Sequence, residues 1–211
     1  TLLHILNDIL DLSKIEAGKM KLHTRPIDLR VTLEKVYTLF MSQAQRKGSQ
    51  LHYFIDESIP QSLEIDETRL LQIVANLTSN AIKFTEKGHI WIRIFMAGRR
   101  RNKIKIKIEV QDTGIGIDPE NVKLLFHTFS QLDNSSSKSY AGTGLGLAIS
   151  KELTELMKGK IGIKSKVGQG STFWLIIEAK ESTETPTNRE TFLPDFSSGD
   201  HFGEVMPRVL V

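Results

Sequence analysis

The segment Asp66-Glu67-Thr68-Arg69-Leu70-Leu71-Gln72-Ile73-Val74-Ala75-Asn76-Leu77-Thr78-Ser79-Asn80-Ala81-Ile82-Lys83-Phe84 carries two stripes at helical spacing. Leu70, Ile73, Val74, Leu77, Ala81 and Phe84 form the apolar stripe, which seats an Asp66-capped helix on a sheet. Arg69, Gln72, Asn76, Asn80 and Lys83 advance by three or four residues along a second line. A plain solvated face favours Glu and Lys, the stronger helix formers, so neutral amides there point to chemistry. An amide oxygen ligates a hard cation such as Mg2+ without its full charge, leaving the phosphates to neutralise it. A lysine one turn on can reach a phosphate oxygen. The alternative is a set of polar residues that only face water.

Working outward, His89–Phe95 and Lys103–Val110 alternate, with Ile90, Ile92 and Ile94 on one face and Ile104, Ile106 and Ile108 likewise. They read as half-buried antiparallel strands joined by the basic tip Gly98-Arg99-Arg100-Arg101-Asn102-Lys103. Leu51–Ile55, Lys160–Ser165 and Ser171–Ala179 are the other strand candidates, the last two flanking Gly168-Gln169-Gly170. Helical spacing recurs from Thr1 to about Ala17, from an Asp28 cap to Lys47-Gly48, from Pro119 to Phe126, and from Leu145 to Met157. Gln131–Tyr140 reads as a mobile loop, and residues 180–203 have the Ser, Thr, Glu, Pro and Gly content of a linker. This order predicts an α+β fold, with one mixed or largely antiparallel sheet covered on one face by helices. It lacks the βαβ alternation of a doubly wound nucleotide fold.

At 211 residues the chain has room for one well-buried domain with flanking pieces. It is 39% hydrophobic and 25% charged, as in ordinary globular proteins. No apolar run approaches the ~18–20 residues that span a bilayer, so this piece is expected to make no membrane contact. Zero cysteines exclude disulfides and thiolate zinc sites and fit a reducing, cytoplasmic setting, for a parent that can itself be membrane-anchored. The net charge of +3 is mild, and the basic tip lacks interleaved aromatics, so nucleic acid is not an expected partner. The opening Thr1-Leu2-Leu3, without an initiator Met, reads as the middle of a helix in an excised fragment.

Two glycine segments carry further chemistry. Asp112-Thr113-Gly114-Ile115-Gly116-Ile117 places an Asp at the end of a buried strand, where it can accept a hydrogen bond from an exocyclic amine. The glycines allow backbone to approach a planar base; a simple Asp turn is the alternative. Gly142-Thr143-Gly144-Leu145-Gly146-Leu147 leads into a helix whose N-terminal N–H groups suit phosphate. Neither segment is a P-loop or a dinucleotide fingerprint.

In this order and spacing the segments resemble the ATP-binding domain of sensor histidine kinases over most of residues 1–180. Asn76–Phe84 is similar to the asparagine box and Asp112–Gly116 to the first glycine box. Phe126-His127-Thr128-Phe129 resembles the phenylalanine box, Gly142–Leu147 the second glycine box, and Gly168–Phe173 the closing turn. The resemblance implies a Bergerat-type two-layer α/β sandwich, with ATP and Mg2+ as cofactors. It implies that Asn80 and Asn76 hold Mg2+, and that Asn80 and Lys83 are the catalytic residues, Lys83 meeting the phosphates. Asp112 would bind the adenine amine, with Gly114, Gly116 and Thr172 shaping its pocket, and residues 130–142 would form a lid. Gly142, Gly144 and Gly146 would cradle phosphates, and Phe84, Ile117, Phe129, Lys138, Thr143, Leu145 and Leu147 complete the implied nucleotide site. Lys138 stands where many relatives carry a lid arginine, and Ala141 where a glycine is frequent.

Related ATPases place a water-activating glutamate one turn before the metal-binding asparagine. Here that residue is Asn76, whose amide cannot serve as a general base, so transfer is expected over hydrolysis. His4, His23, His52, His89, His127 and His201 all lack the family's acceptor context, so the acceptor is expected elsewhere. Residues 1–18 resemble the end of the second helix of a dimerisation and phosphoacceptor hairpin. Residues 26–180 would be the catalytic domain, 181–204 a flexible linker, and 205–211 the start of a truncated receiver domain. The implied partners are that hairpin and a receiver domain or response regulator, in a parent that is a homodimer. The competing reading is a regulatory module that binds nucleotide or a partner helix and transfers nothing.

Overall fold

The computed structural model describes residues 2–128, 130 and 144–188. Helix α1 (Leu2–Glu16) leads through a turn at Gly18 to strand β1 (Arg25–Ile27) and helix α2 (Leu29–Arg46). Asp28 caps α2 by accepting from the Arg30 N–H at 2.9 Å. Strands β2 (Ser49–Ile55) and β3 (Leu63–Ile65) precede helix α3 (Glu67–Phe84), which is capped by Asp66. The hairpin of β4 (Gly88–Arg100) and β5 (Lys103–Asp112) follows, then a single helical turn, α4 (Pro119–Val122). Helix α5 (Gly146–Leu156), β6 (Lys160–Lys166) and β7 (Gly170–Glu181) complete the described elements.

The strands form one seven-stranded sheet in the order β1-β3-β7-β5-β4-β2, with β6 also on β7. All pairs are antiparallel except β2 with β4, which are parallel and bridged by α3. β7 is central: β5 lies along one edge, while β6 and the end of β3 share the other. Period-two alternation sends Ile90, Ile92, Ile94, Ile104, Ile106, Ile108, Val110, Phe173, Leu175 and Ile177 into a single core, all nearly inaccessible. Helices α2, α3 and α5 cover that face with Leu33, Val36, Phe40, Leu70, Ile73, Leu77, Ile149 and Leu153. Among the described residues no helix covers the opposite face, and His52 stacks on Trp91 there at 4.4 Å between ring centroids. This is the expected two-layer sandwich.

The structure adds β1 and β3 to the expected strands. Pro26 sits in the end strand of the sheet, where its missing N–H costs no interior ladder bond. Phe84 leaves the apolar stripe of α3. It is 37% exposed at the helix terminus, with the Lys83 ammonium 5.1 Å from its ring centroid. The expected helix from Pro119 to Phe126 stops at Val122 and continues as turns. Residues 182–188, read as linker, lie back along β3, β1 and the start of α2. Among the described residues no helix is long and apolar enough to cross a membrane.

Candidate nucleotide-binding site

The polar line of α3 is divided between two tasks. Arg69 and Gln72 turn to α1, both donating to the Asp11 carboxylate at 2.8 and 3.0 Å. They hold the first helix and stand apart from Asn76, Asn80 and Lys83. Asn76 donates its amide to Ser150 Oγ at 2.9 Å, and Ser150 Oγ donates to the Gly146 carbonyl at 2.8 Å. A Cβ at Gly146 would collide with the Asn76 amide, so this glycine lets α5 dock on the amide line. Helix α5 begins there with no side-chain cap among the described residues, so no described side chain takes up its first N–H groups. The side chain of Asn80, half-buried and one turn further along α3, makes no hydrogen bond among the described residues.

Lys83 is half-buried at the end of the line. Burial, then the charge of Lys47, lowers its pKa from the usual 10.5. Lys47 itself donates to the terminal α3 carbonyls of Lys83 at 2.9 Å and Ile82 at 3.3 Å. Sequence reading missed this residue, since nothing in it announces a neighbour 36 positions away.

Asp112 ends β5 on the core side, 4% exposed. Its Oδ1 accepts the N–H of Gly114 at 2.8 Å and of Ser171 at 3.2 Å, while Oδ2 receives none of these bonds. Burial raises its pKa above 3.8, and the two N–H groups partly offset that rise. The Ile115 N–H reaches the Phe84 carbonyl at 3.4 Å, joining the first glycine segment to the end of α3. Gly116 has φ +70°, and a Cβ there would strike the Lys166 carbonyl. Ile117 is tied by its N–H to Ser165 Oγ at 2.8 Å.

One expected pocket residue is displaced. Thr172 pairs with Gln111, so strand alternation turns it to the sheet face away from Asp112. Ser171 meets the carboxylate instead, with its Oγ 2.9 Å from Ser165 Oγ. Leu145 is core, 1% exposed, and Leu147 packs against the core, so both anchor the start of α5. Gly144 has φ +69° just before it. Phe129, Lys138, Gly142 and Thr143 lie outside the described residues, as does most of the expected lid.

The residues present fit an adenine nucleotide with a hard cation. Among the described residues, a buried carboxylate has a spare acceptor, the start of α5 carries no side-chain cap, and the Asn80 amide is unengaged. Among the described residues no group of three His, Cys, Asp or Glu side chains could hold a metal by itself. Any cation here would depend on amide oxygens and the ligand's own phosphates.

The sensor histidine kinase GacS of Pseudomonas protegens is 44% identical over 184 residues, covering 87% of this chain and 20% of that protein. The signal transduction histidine-protein kinase BarA of Escherichia coli K12 is 44% identical over 176 residues, 83% of this chain and 19% of that protein. The chain thus spans about a fifth of the length of these curated relatives. Among solved structures, full-length ShkA in complex with AMPPNP superposes with a TM-score of 0.74 at 30% identity, over 86% of this chain and 36% of that one. The Acinetobacter baumannii histidine kinase AdeS gives 0.64 at 25% identity, over 83% of this chain and 77% of that one. Residues 65–181 match the family described as histidine kinase-, DNA gyrase B- and HSP90-like ATPases, and the chain belongs to that family.

Proposed function

We propose that this chain binds Mg·ATP and donates the γ-phosphoryl group to a histidine on a phosphoacceptor helix of its parent protein, in two-component signalling. The observation that carries the reading is the Asn76–Ser150–Gly146 tie, which sets the N-terminus of α5 against the amide line of α3. Phosphate oxygens can then meet helix N–H groups on one side and Asn80 and Lys83 on the other.

Asp112 Oδ2 accepts from the exocyclic amine of adenine and fixes the base, with Gly114 and Gly116 keeping the approach open. Asn80, seconded by Asn76, holds Mg2+, which when bound neutralises charge on the phosphates. Lys83 sets its ammonium against a phosphate oxygen. In the transfer, the bond from the γ-phosphorus to the ADP oxygen breaks, one to an imidazole nitrogen forms, and ADP leaves. Asn76 offers no base to water, so the chain favours transfer over hydrolysis.

The parent is read as a cytoplasmic-facing homodimer. Its hairpin supplies the histidine, and a receiver domain or response regulator takes the phosphoryl group onward. Transfer of labelled γ-phosphate to an intact hairpin from the parent, with slow release of free phosphate, is the expected result. Failure to bind any adenine nucleotide would sink the reading.

A further inference from the structure

Glu67 is the least exposed charged residue among those described, with its side chain at 0%. It lies in the first turn of α3, about 20 Å along the helix from Asn80 at 1.5 Å per residue, and so apart from the nucleotide site. Its carboxylate is met by Arg25 of β1, by Lys35 Nζ at 2.9 Å and Thr32 Oγ1 at 3.3 Å from α2, and by Asn188 Nδ2 at 2.9 Å. Burial alone would raise its pKa, but the hydrogen bonds from Asn188 and Lys35, the Lys35 charge and Arg25 together hold it below the usual carboxylate value.

Asn188 is not a bystander in this cluster. Its Oδ1 accepts the Asp28 N–H at 2.9 Å, and its Nδ2 also reaches the Asp28 carbonyl at 3.2 Å and Thr32 Oγ1 at 3.1 Å. The residues before it are fastened too. Ser182 N–H donates to the Ser62 carbonyl at 3.0 Å, Ser62 Oγ to the Glu184 carbonyl at 2.7 Å, and Thr187 N–H to the Pro26 carbonyl at 2.9 Å. The family match ends at residue 181, so this strap lies just outside the matched residues.

We propose that Arg25, Asp28, Thr32, Lys35 and Glu67 form a built socket for the Asn188 amide, and that docking of residues 182–188 in it fixes where the following chain leaves the domain. Arg25 and Lys35 already answer the Glu67 charge, so the ligand needs none. It needs a donor for Glu67 Oε1 and an acceptor for the Asp28 N–H, and a side-chain amide supplies both. A free seven-residue tether starting at Glu181 would wander over roughly 15 Å. Docking replaces that cloud by one point beside the start of α2. Anything joined after residue 188 then searches from a fixed origin, which sets its effective concentration at the donor site.

Hydrogen exchange on this chain tests the socket without nucleotide. Protected Ser182 and Thr187 amides are expected, with exchange at least ~10-fold faster in Asn188→Ala and faster still in Asn188→Asp, which sets a carboxylate against Glu67. Amides of β5 should keep their protection, and nucleotide affinity should hold within about twofold. The chain has no native cysteine, so a spin-label pair at Thr24→Cys and Glu184→Cys reports directly. A narrow distance distribution that broadens in Asn188→Ala is expected. Three outcomes overturn the proposal: unprotected strap amides in the unaltered chain, no response to either Asn188 substitution, or equal loss of protection through β5.

Discussion

Asn76 Nδ2 and Ser150 Oγ lie 2.9 Å apart, and this bond fastens α3, the helix of the amide line, to α5, the helix of the second glycine segment. Neither side chain is fully enclosed by its own element, so the bond acts as a rivet between two helices. Ser150→Ala should lower stability by about 1 kcal/mol, the usual net worth of such a bond, read as a fall in denaturation midpoint. It should also weaken ATP binding, because α5 loses the tie that positions its first N–H groups. Unchanged affinity in that variant, measured calorimetrically, would detach the tie from the site.

Asp112→Asn separates binding from folding. The asparagine keeps an oxygen for the Gly114 and Ser171 N–H groups but loses the anionic acceptor offered to adenine. A charged hydrogen bond is worth about 1.5–3 kcal/mol, so nucleotide affinity should fall roughly 10- to 100-fold. Thermal stability should hold or rise, since a desolvated charge is removed.

Two pH trends follow from the shifted groups. Asp112, raised above 3.8, protonates earlier than an ordinary carboxylate as pH falls, so adenine binding should weaken on acidification at a pH above that value. Lys83 behaves oppositely. Its folded pKa lies below 10.5, so folding bears the cost of its charged form below that range and is relieved as pH rises towards 10.5. A nearby phosphate favours the ammonium, so at alkaline pH, where the free site begins to lose that proton, binding should take up protons and weaken as pH rises further. Calorimetry in buffers of different ionisation enthalpy measures the uptake, which should vanish in Lys83→Met.

Gly116 and Gly168 share a left-handed backbone, φ +70° and +75°, but differ in surroundings. A Cβ at Gly168 meets nothing within 4 Å, so Gly168→Ala should cost only the conformational strain of about 1 kcal/mol. At Gly116 the Cβ runs into the Lys166 backbone, so Gly116→Ala should cost clearly more and loosen nucleotide binding as well. Equal denaturation midpoints for the two variants would contradict this packing.

Periodicity made the major elements legible. The isoleucines of β4 and β5 alternate without interruption, and the caps Asp28 and Asp66 stand where the sequence places them. β1 and β3 were not legible, because three residues are too short to display a period and their pairing spans 40 positions from Arg25 to Ile65. The nucleotide site was legible as segments but not as geometry. Only the register of β5 on β7 turns Thr172 away from Asp112 and brings Ser171 to it. Arg69 and Gln72 share the periodicity of Asn76 and Asn80, and spacing cannot reveal that Asp11 claims them.

The central place of β7 bears on how the chain emerges from the ribosome. β5 is complete at Asp112, yet the strand that shields its open edge ends only at Glu181. At ~5–20 residues per second, several seconds of synthesis pass in between. Throughout that interval a nascent chain exposes an unpaired edge beside Ile104, Ile106 and Ile108, which native structure hides completely. β7 is the last strand of this sheet to be made and its keystone, so the sheet cannot close until Glu181 has emerged, and newly made chains are natural clients for chaperones that shelter apolar strands.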